Sequence, residues 1–295
     1  MIAFLFPGQG SQKVGMGHAL YVQGGEARIL FERANEILGY DLANLCFEGP
    51  EAELTDTRHA QPALLTVGVL YGRLARQRGL EPAFAAGHSL GEYAALVAAG
   101  TLEFEDALKL VQRRAELMAA APAGTMAALI GLPDAEIDNV LQAASAEGLV
   151  VAANYNSPGQ VVVSGEPGGV EAAMREAKAR GAKMAVALPV SGAFHSPLMQ
   201  AAGDEMAALI DAAPFRDAQI PVYQNTTALP ATAAAELQAA LKKQMTGAVR
   251  WTETVQNMIG GGAEQFYELG PGKVLSGLVK RIDKGAAVEA AESWS

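Results

Sequence analysis

Residues Gly87-His88-Ser89-Leu90-Gly91 form a G-x-S-x-G pentapeptide where the residue pattern changes from strand to helix. Ahead of it, 83–86 is a short apolar run; behind it, 92–99 is rich in helix formers and closes at Gly100. A sharp strand-to-helix turn with flanking glycines exposes a serine hydroxyl, which is the geometry of a nucleophile elbow. The rival reading is a turn serine with a purely structural role. With 32 glycines in 295 residues, the pattern alone does not decide between them. The decision rests on which other residues accompany Ser89.

The surrounding pattern points to an α/β layer fold. Residues 2–6 are continuously apolar, as in a parallel strand buried on both faces, and lead into the loop Gly8-Gln9-Gly10-Ser11-Gln12. Helices are predicted over 26–38, ended by Gly39, over 61–78 with Pro62 in the first turn, and over 105–120. The middle of the chain changes character. Strands are predicted at 125–131, 149–154, 160–164 and 183–190, with helices at 134–146 and 170–180. The second and third of these strands are joined by the turn residues Asn156-Ser157-Pro158-Gly159. That βαββαβ order is the order of a ferredoxin-like unit. Beyond it the α/β pattern resumes at 220–224 and 265–269, while Ala-rich 230–240 reads as a helix with its approach. The expected organisation is a catalytic domain of residues 1–123 and 192–295 with a small subdomain, 124–191, inserted. A cleft between the two is a favoured ligand site.

Composition removes several function classes. A net charge of −10 opposes general nucleic-acid binding, although Lys273, Lys280 and Arg281 form a local basic cluster. Cys46 is the only cysteine, so an intramolecular disulfide and a cysteine-cluster metal site are excluded. His18, His59, His88 and His195 show no metal-ligand spacing. The N-terminus lacks the pattern of a signal peptide, and no run approaches the roughly eighteen apolar residues of a membrane span. A cytoplasmic, metal-free enzyme is the expectation.

A serine nucleophile requires a base. His88 is its neighbour, but adjacent residues on a strand point to opposite faces. His195 is the better candidate, because it follows the inserted unit through Ser191-Gly192-Ala193-Phe194, at the rim of the expected cleft. Its alternative role is that of a hydrogen-bonded structural histidine. Between Ser89 and His195, Asp134 and Asp138 fall within the insert and none of the acidic residues follows a core strand. A backbone or amide carbonyl is therefore a candidate third member. The N–H of Leu90 is the default oxyanion donor, with Gln9 as the second. A phosphate loop at Gly8-Gln9-Gly10 is the weaker reading, since neither the third glycine of a dinucleotide loop nor a G-K-[ST] ending follows.

Arg114 shares an apolar helix face with Ala107, Val111 and Met118. An inward guanidinium is costly unless an anion meets it. The anion is either a structural carboxylate or a substrate carboxylate held in bidentate fashion, and a snorkelling side chain is the third possibility.

Together these residues resemble the malonyl-CoA:acyl carrier protein transacylase family. The resemblance is carried by Phe6 through Gln12, Gly87 through Gly91 with Glu92, Arg114, Asn156 through Gln160, Gly192 through Ser196, and Gly270 through Leu275, spread in order over nearly the whole chain. It implies an α/β-hydrolase-like large domain with an inserted ferredoxin-like (βαββαβ) small subdomain. It also implies Ser89 as acyl acceptor, His195 as base, and Gln9 and Leu90 as backbone oxyanion donors. By the same resemblance Gln244 orients the histidine through its main-chain carbonyl, although Met245 to Ala248 depart from the family pattern. Arg114 becomes the clamp on the malonyl carboxylate, and Asn156 and Phe194 become substrate-binding positions. The Gly-Ala-Phe-His segment resembles the version associated with malonyl rather than methylmalonyl selection.

The implied reaction is ping-pong: malonyl passes from malonyl-CoA to Ser89 and then to the pantetheine thiol of holo acyl carrier protein, in fatty-acid biosynthesis. No cofactor, nucleic acid or membrane is implied, and a monomer is expected. Acyl carrier proteins are acidic, which makes Lys273, Lys280 and Arg281 docking candidates. Two alternatives remain: an esterase or thioesterase that delivers the acyl group to water, and a carrier-binding module with a dead site.

Overall fold

A computed structural model describes residues 1–190 and 192–294. Two sheets organise the chain. The larger contains β1 (Ile2–Phe6), β2 (Phe84–Gly87), β7 (Val222–Tyr223), β8 (Pro230–Ala231), β9 (Gln265–Glu268) and β10 (Ala287–Ala290), in the order β10-β9-β1-β2-β7-β8. All neighbours are parallel except β8, which pairs antiparallel with β7 at the edge. The smaller contains β3 (Thr125–Ile130), β4 (Val150–Ser157), β5 (Gln160–Gly165) and β6 (Met184–Ala187), antiparallel throughout in the order β4-β5-β3-β6. That order, with helices Ile137–Ala144 and Pro167–Ala179 as the two crossovers, is ferredoxin-like. The fold is α/β, a mainly parallel sheet joined to a separate antiparallel one.

Alternation along β3 explains how the two layers share one molecule. Ala127 and Leu129 face the crossover helices and join the small core with Ile137, Val140 and Val170. Met126 and Ala128 point the other way and join the main core together with Phe194. With a period of two, one strand serves both cores. Backbone bonds tie the layers further: Val249 N–H donates to Ala153 O at 2.8 Å and Tyr155 N–H to Val249 O at 2.9 Å.

β1 occupies a switch point, since the chain's next strand, β2, lies on one side of it and the late strand β9 on the other. Ligands of open parallel sheets bind beyond the carboxyl ends of strands at such a point. Here the loop after β1 and the turn after β2 emerge side by side, because Phe6 pairs with Gly87.

Several elements differ from the sequence expectations. The helix expected from residue 61 is Thr57–Gln77, started by Asp56, whose carboxylate accepts from Arg58 N–H at 2.9 Å. Pro62 therefore lies in the second turn rather than the first. Thr57, Arg58 and His59 are polar, and a reading keyed to apolar spacing starts after them. Asn156 and Ser157 belong to β4, which is lengthened by bulges, leaving Pro158 and Gly159 as the turn. Residues 134–146 split into a 3₁₀ turn, the Ile137–Ala144 helix and a second 3₁₀ turn. The last strand of the insert is only Met184–Ala187, and Pro230–Ala231 is an edge strand before a helix at Ala234–Leu241. Ser191, the expected end of the insert, lies outside the described residues.

The glycines of the pentapeptide are required by close approach. A Cβ on Gly91 would sit 2.0 Å from Phe6 O, and one on Gly87 would sit 1.9 Å from Gly91 C. Gly91→Ala is expected to lower the unfolding free energy by about 2 kcal/mol or more, because a backbone carbonyl cannot rotate away as a side chain can. Urea titration of the two proteins checks this.

Candidate active site

A cleft of about 870 Å³ opens at the carboxyl ends of β1 and β2, walled by Gln9, Leu90, Met118, Asn154 and Phe194 around Ser89 and His195. Ser89 follows β2 with φ +50, and His195 also has positive φ at +57. Each such conformation costs a non-glycine residue roughly 1–3 kcal/mol, so the surroundings must enforce both.

Ser89 Oγ lies 2.8 Å from His195 Nε2. On its other side, His195 Nδ1 lies 2.8 Å from Gln244 O and 3.1 Å from Gly247 O. Carbonyl oxygens only accept, so Nδ1 carries the proton and neutral Nε2 is left to accept from the serine hydroxyl. Burial, and next the nearby Arg114 charge, push the His195 pKa from the ordinary 6.5 down to about 3. Among the described residues, no carboxylate orients the imidazole. Asp134, by contrast, accepts from Gly159 N–H in the turn after β4.

Arg114 is only 1% exposed. It comes from the Phe104–Ala119 helix, whose buried face carries Ala107, Val111 and Met118 as well. Its Nη1 donates to Gln61 Oε1 at 2.7 Å, and Nη2 donates to Ser89 Oγ at 3.0 Å and Gln244 Oε1 at 3.1 Å. Its Nε has no partner among the described residues, and no ion pair within them neutralises it. Burial lowers its pKa, opposed by the weaker influence of Tyr93 and Glu92. Among the described residues, then, this side chain does not snorkel and no carboxylate clasps it.

The backbone N–H groups of Gln9 and Leu90 have no hydrogen-bond partner among the described residues, and both residues line the cleft. Gln9 is anchored instead through its side chain, Nε2 donating to Thr57 Oγ1 at 3.1 Å. Gln12 Oε1 takes the neighbouring Gly10 N–H at 2.7 Å.

Asn156 is not brought into the cleft wall. Its Oδ1 lies 2.8 Å from His88 Nε2, which ties the small sheet to the residue before Ser89, and Asn154 lines the cleft in its place. Burial lowers the His88 pKa. Lys280 Nζ donates to Ala286 O at 2.6 Å, and Arg281 donates to Gln160 Oε1, so two of the three basic-cluster residues have local partners.

Sequence reading did not single out Gln61, Gly247 or Asn225. Gln61 leaves a signal, an amide among the buried apolar residues of the Thr57–Gln77 helix. Gly247 and Asn225 leave none, because they act from irregular segments. Glu92, noted only as part of the motif, is buried and accepts from Gln244 Nε2 at 2.7 Å. Burial, partly offset by that bond, raises its pKa to about 7.

A serine and an imidazole in contact, flanked by two free backbone N–H groups, are the apparatus of acyl transfer. Fold and site together define an acyltransferase, and a family model described as "Acyl transferase domain" matches residues 3–292. A malonyl CoA-acyl carrier protein transacylase of Bacillus subtilis (strain 168) is 47% identical over 287 residues, covering 96% of this chain and 90% of its own length. Its Escherichia coli (strain K12) counterpart is 47% identical over 285 residues, covering 95% and 92%. The crystal structure of an acyl carrier protein S-malonyltransferase from Vibrio cholerae superposes with a TM-score of 0.94 at 46% identity, covering 98% of this chain and 96% of that one. A malonyl-transacylase solved in complex with a type II PKS acyl-carrier protein gives 0.94 at 41% identity, covering 98% and 95%. The chain belongs to the malonyl CoA-acyl carrier protein transacylase family.

The depressed His195 pKa sets a pH dependence. The base form is present above about 3. Inactivation by a serine-directed fluorophosphonate is therefore expected to show no downturn near 6.5 between about pH 8 and about pH 5. The contribution of His195 to stability is expected to fall over the lower part of that range, where Glu92, raised to about 7, works against it, so wild type is compared with His195→Gln. The unfolded chain protonates this histidine near 6.5 while the folded protein resists until about 3, so the contribution is present above 6.5 and lost as pH falls.

Proposed function

We propose that the chain transfers malonyl from malonyl-CoA to the phosphopantetheine thiol of acyl carrier protein through a malonyl-Ser89 intermediate, for fatty-acid biosynthesis. The observation that carries this reading is Arg114, buried, without an ion pair among the described residues and 3.0 Å from Ser89 Oγ. A malonyl ester on Ser89 holds its free carboxylate one methylene beyond the ester carbonyl, within reach of that guanidinium. An acetyl group has nothing to offer it.

In the first half-reaction Ser89 gives its proton to His195 Nε2 and Oγ attacks the thioester carbonyl. The N–H groups of Gln9 and Leu90 hold the oxyanion, and collapse expels CoA thiolate, which takes the proton back from His195. In the second half-reaction the carrier thiol gives its proton to His195 and attacks the ester carbonyl; Ser89 leaves and is reprotonated. Gln244 keeps the imidazole in the working tautomer through its carbonyl oxygen. Phe194 supplies an apolar wall, and Asn156 acts on the site through His88 rather than by touching substrate. This chemistry calls for no metal or redox cofactor. We assign the catalytic domain to 1–123 and 192–295 and the insert to 124–191, and expect a cytoplasmic monomer. Among the described residues, no helix is long and apolar enough to cross a membrane.

Intact mass after brief exposure to malonyl-CoA is expected to show one malonyl adduct that is absent from Ser89→Ala and is discharged by reduced holo acyl carrier protein. Steady CoA release without carrier loading would instead indicate a hydrolase. Arg114→Ala is expected to reduce malonyl transfer roughly 10- to 150-fold more than acetyl transfer, the worth of a charge-assisted bidentate contact. Equal losses with the two donors would remove the clamp.

A further inference from the structure

Asn225 stands just past the carboxyl end of β7 and is 1% exposed. Strands β2 and β7 pair through Ala85 with Val222 and Ala86 with Tyr223, and there the backbone ladder stops. The Asn225 side chain continues it. Oδ1 accepts from Ser89 N–H at 2.7 Å, and Nδ2 donates to Gly87 O at 2.7 Å. A backbone N–H only donates and a carbonyl only accepts, so the amide can face these partners in one orientation alone. It reproduces the donor and acceptor that a neighbouring strand's peptide would present. From the β1 side, His88 N–H donates to Phe6 O at 3.0 Å. The turn is thus pinned on both flanks, at three consecutive residues.

Asn225 is itself held at its backbone. Its N–H donates to Glu92 Oε2 at 3.3 Å, and its carbonyl accepts from Arg250 N–H at 2.9 Å. It does not line the cleft.

We propose that Asn225 is a positioning residue whose side-chain amide holds Ser89 at positive φ, aiming Oγ at His195 Nε2 and leaving the Leu90 N–H free for the oxyanion. The inference rests on Ser89 being the nucleophile. Because Asn225 does not touch the cleft, it acts on the rate constants of both half-reactions and not on malonyl-CoA binding.

The test compares wild type, Asn225→Ala and Asn225→Asp in two assays: Ser89 labelling by a fluorophosphonate probe, and rapid-quench formation of the malonyl adduct across malonyl-CoA concentrations. Asn225→Ala is expected to slow both rate constants by at least about tenfold while half-saturation stays within about threefold. Asn225→Asp keeps the acceptor for Ser89 N–H and regains the donor for Gly87 O only when protonated. It is therefore expected to slow the same two rate constants with half-saturation again within about threefold, a split that a general loss of packing would not produce. A folded Asn225→Ala with wild-type rate constants, or with its loss confined to half-saturation, overturns the proposal. If Asn225→Ala does not fold, Asn225→Asp decides, and wild-type rate constants or a loss confined to half-saturation overturn it. A wild type that takes the fluorophosphonate but no malonyl defeats the malonyl reading alone, and the labelling rates still judge Asn225. A wild type that takes neither defeats both.

Discussion

The hydrogen bond from His88 N–H to Phe6 O, 3.0 Å long, carries the β1–β2 ladder one residue past its last strand pair. Everything in the site depends on that extension. It holds the turn against the end of β1, so that the loop bearing Gln9 and the turn bearing Leu90 leave the sheet together. Gln9 and Leu90, whose N–H groups have no hydrogen-bond partner among the described residues, consequently both line the cleft. The same approach leaves no space for a side chain at residue 91, where a Cβ would fall 2.0 Å from Phe6 O, while a Cβ at residue 87 would fall 1.9 Å from Gly91 C within the turn itself. The glycines are a consequence of close backbone approach, to β1 at one and within the turn at the other, rather than of the chemistry.

A second constraint is electrostatic. Arg114 is buried beside a buried histidine, and its charge helps keep His195 neutral. The guanidinium is supported by amides rather than carboxylates, from Gln61 and Gln244. An amide oxygen satisfies a donor without cancelling the charge. Gln244 links the parts. Its carbonyl orients His195, its Oε1 accepts from Arg114, and its Nε2 reaches both Ser89 O and Glu92.

The two layers meet at the same place. β4 pairs with Val249, close in the chain to the carbonyls that hold His195, and Asn156 of β4 grips His88. Placement of the small sheet and alignment of the dyad are therefore coupled through backbone geometry.

Much of the architecture was readable in the chain because local periodicity reports it. The apolar run at β1 announces itself by its continuity, and the helix Glu26–Leu38 and the βαββαβ order through spacing of two or of 3.6 residues. Ser89 was readable because its glycines are a steric requirement written in consecutive residues, and Arg114 because a cation interrupts an apolar helix face. The elements that escaped are those whose residues gain meaning only from distant neighbours. β10 is half exposed and becomes a strand by pairing with β9, and Pro62 is misplaced when the polar first turn of its helix carries no apolar signal.

The division follows from the range of the forces involved. Consecutive residues specify which segments bury which faces, and hence the α/β class and the sharp turn at Ser89. The proton on His195 Nδ1, the hydrogen bond of Arg114 to Ser89 and the grip of Asn225 on Ser89 each depend on groups between 25 and 136 positions away in the chain. Hydrogen-bond direction and burial act over a few ångströms of space, and only the packed molecule decides which residues stand that close.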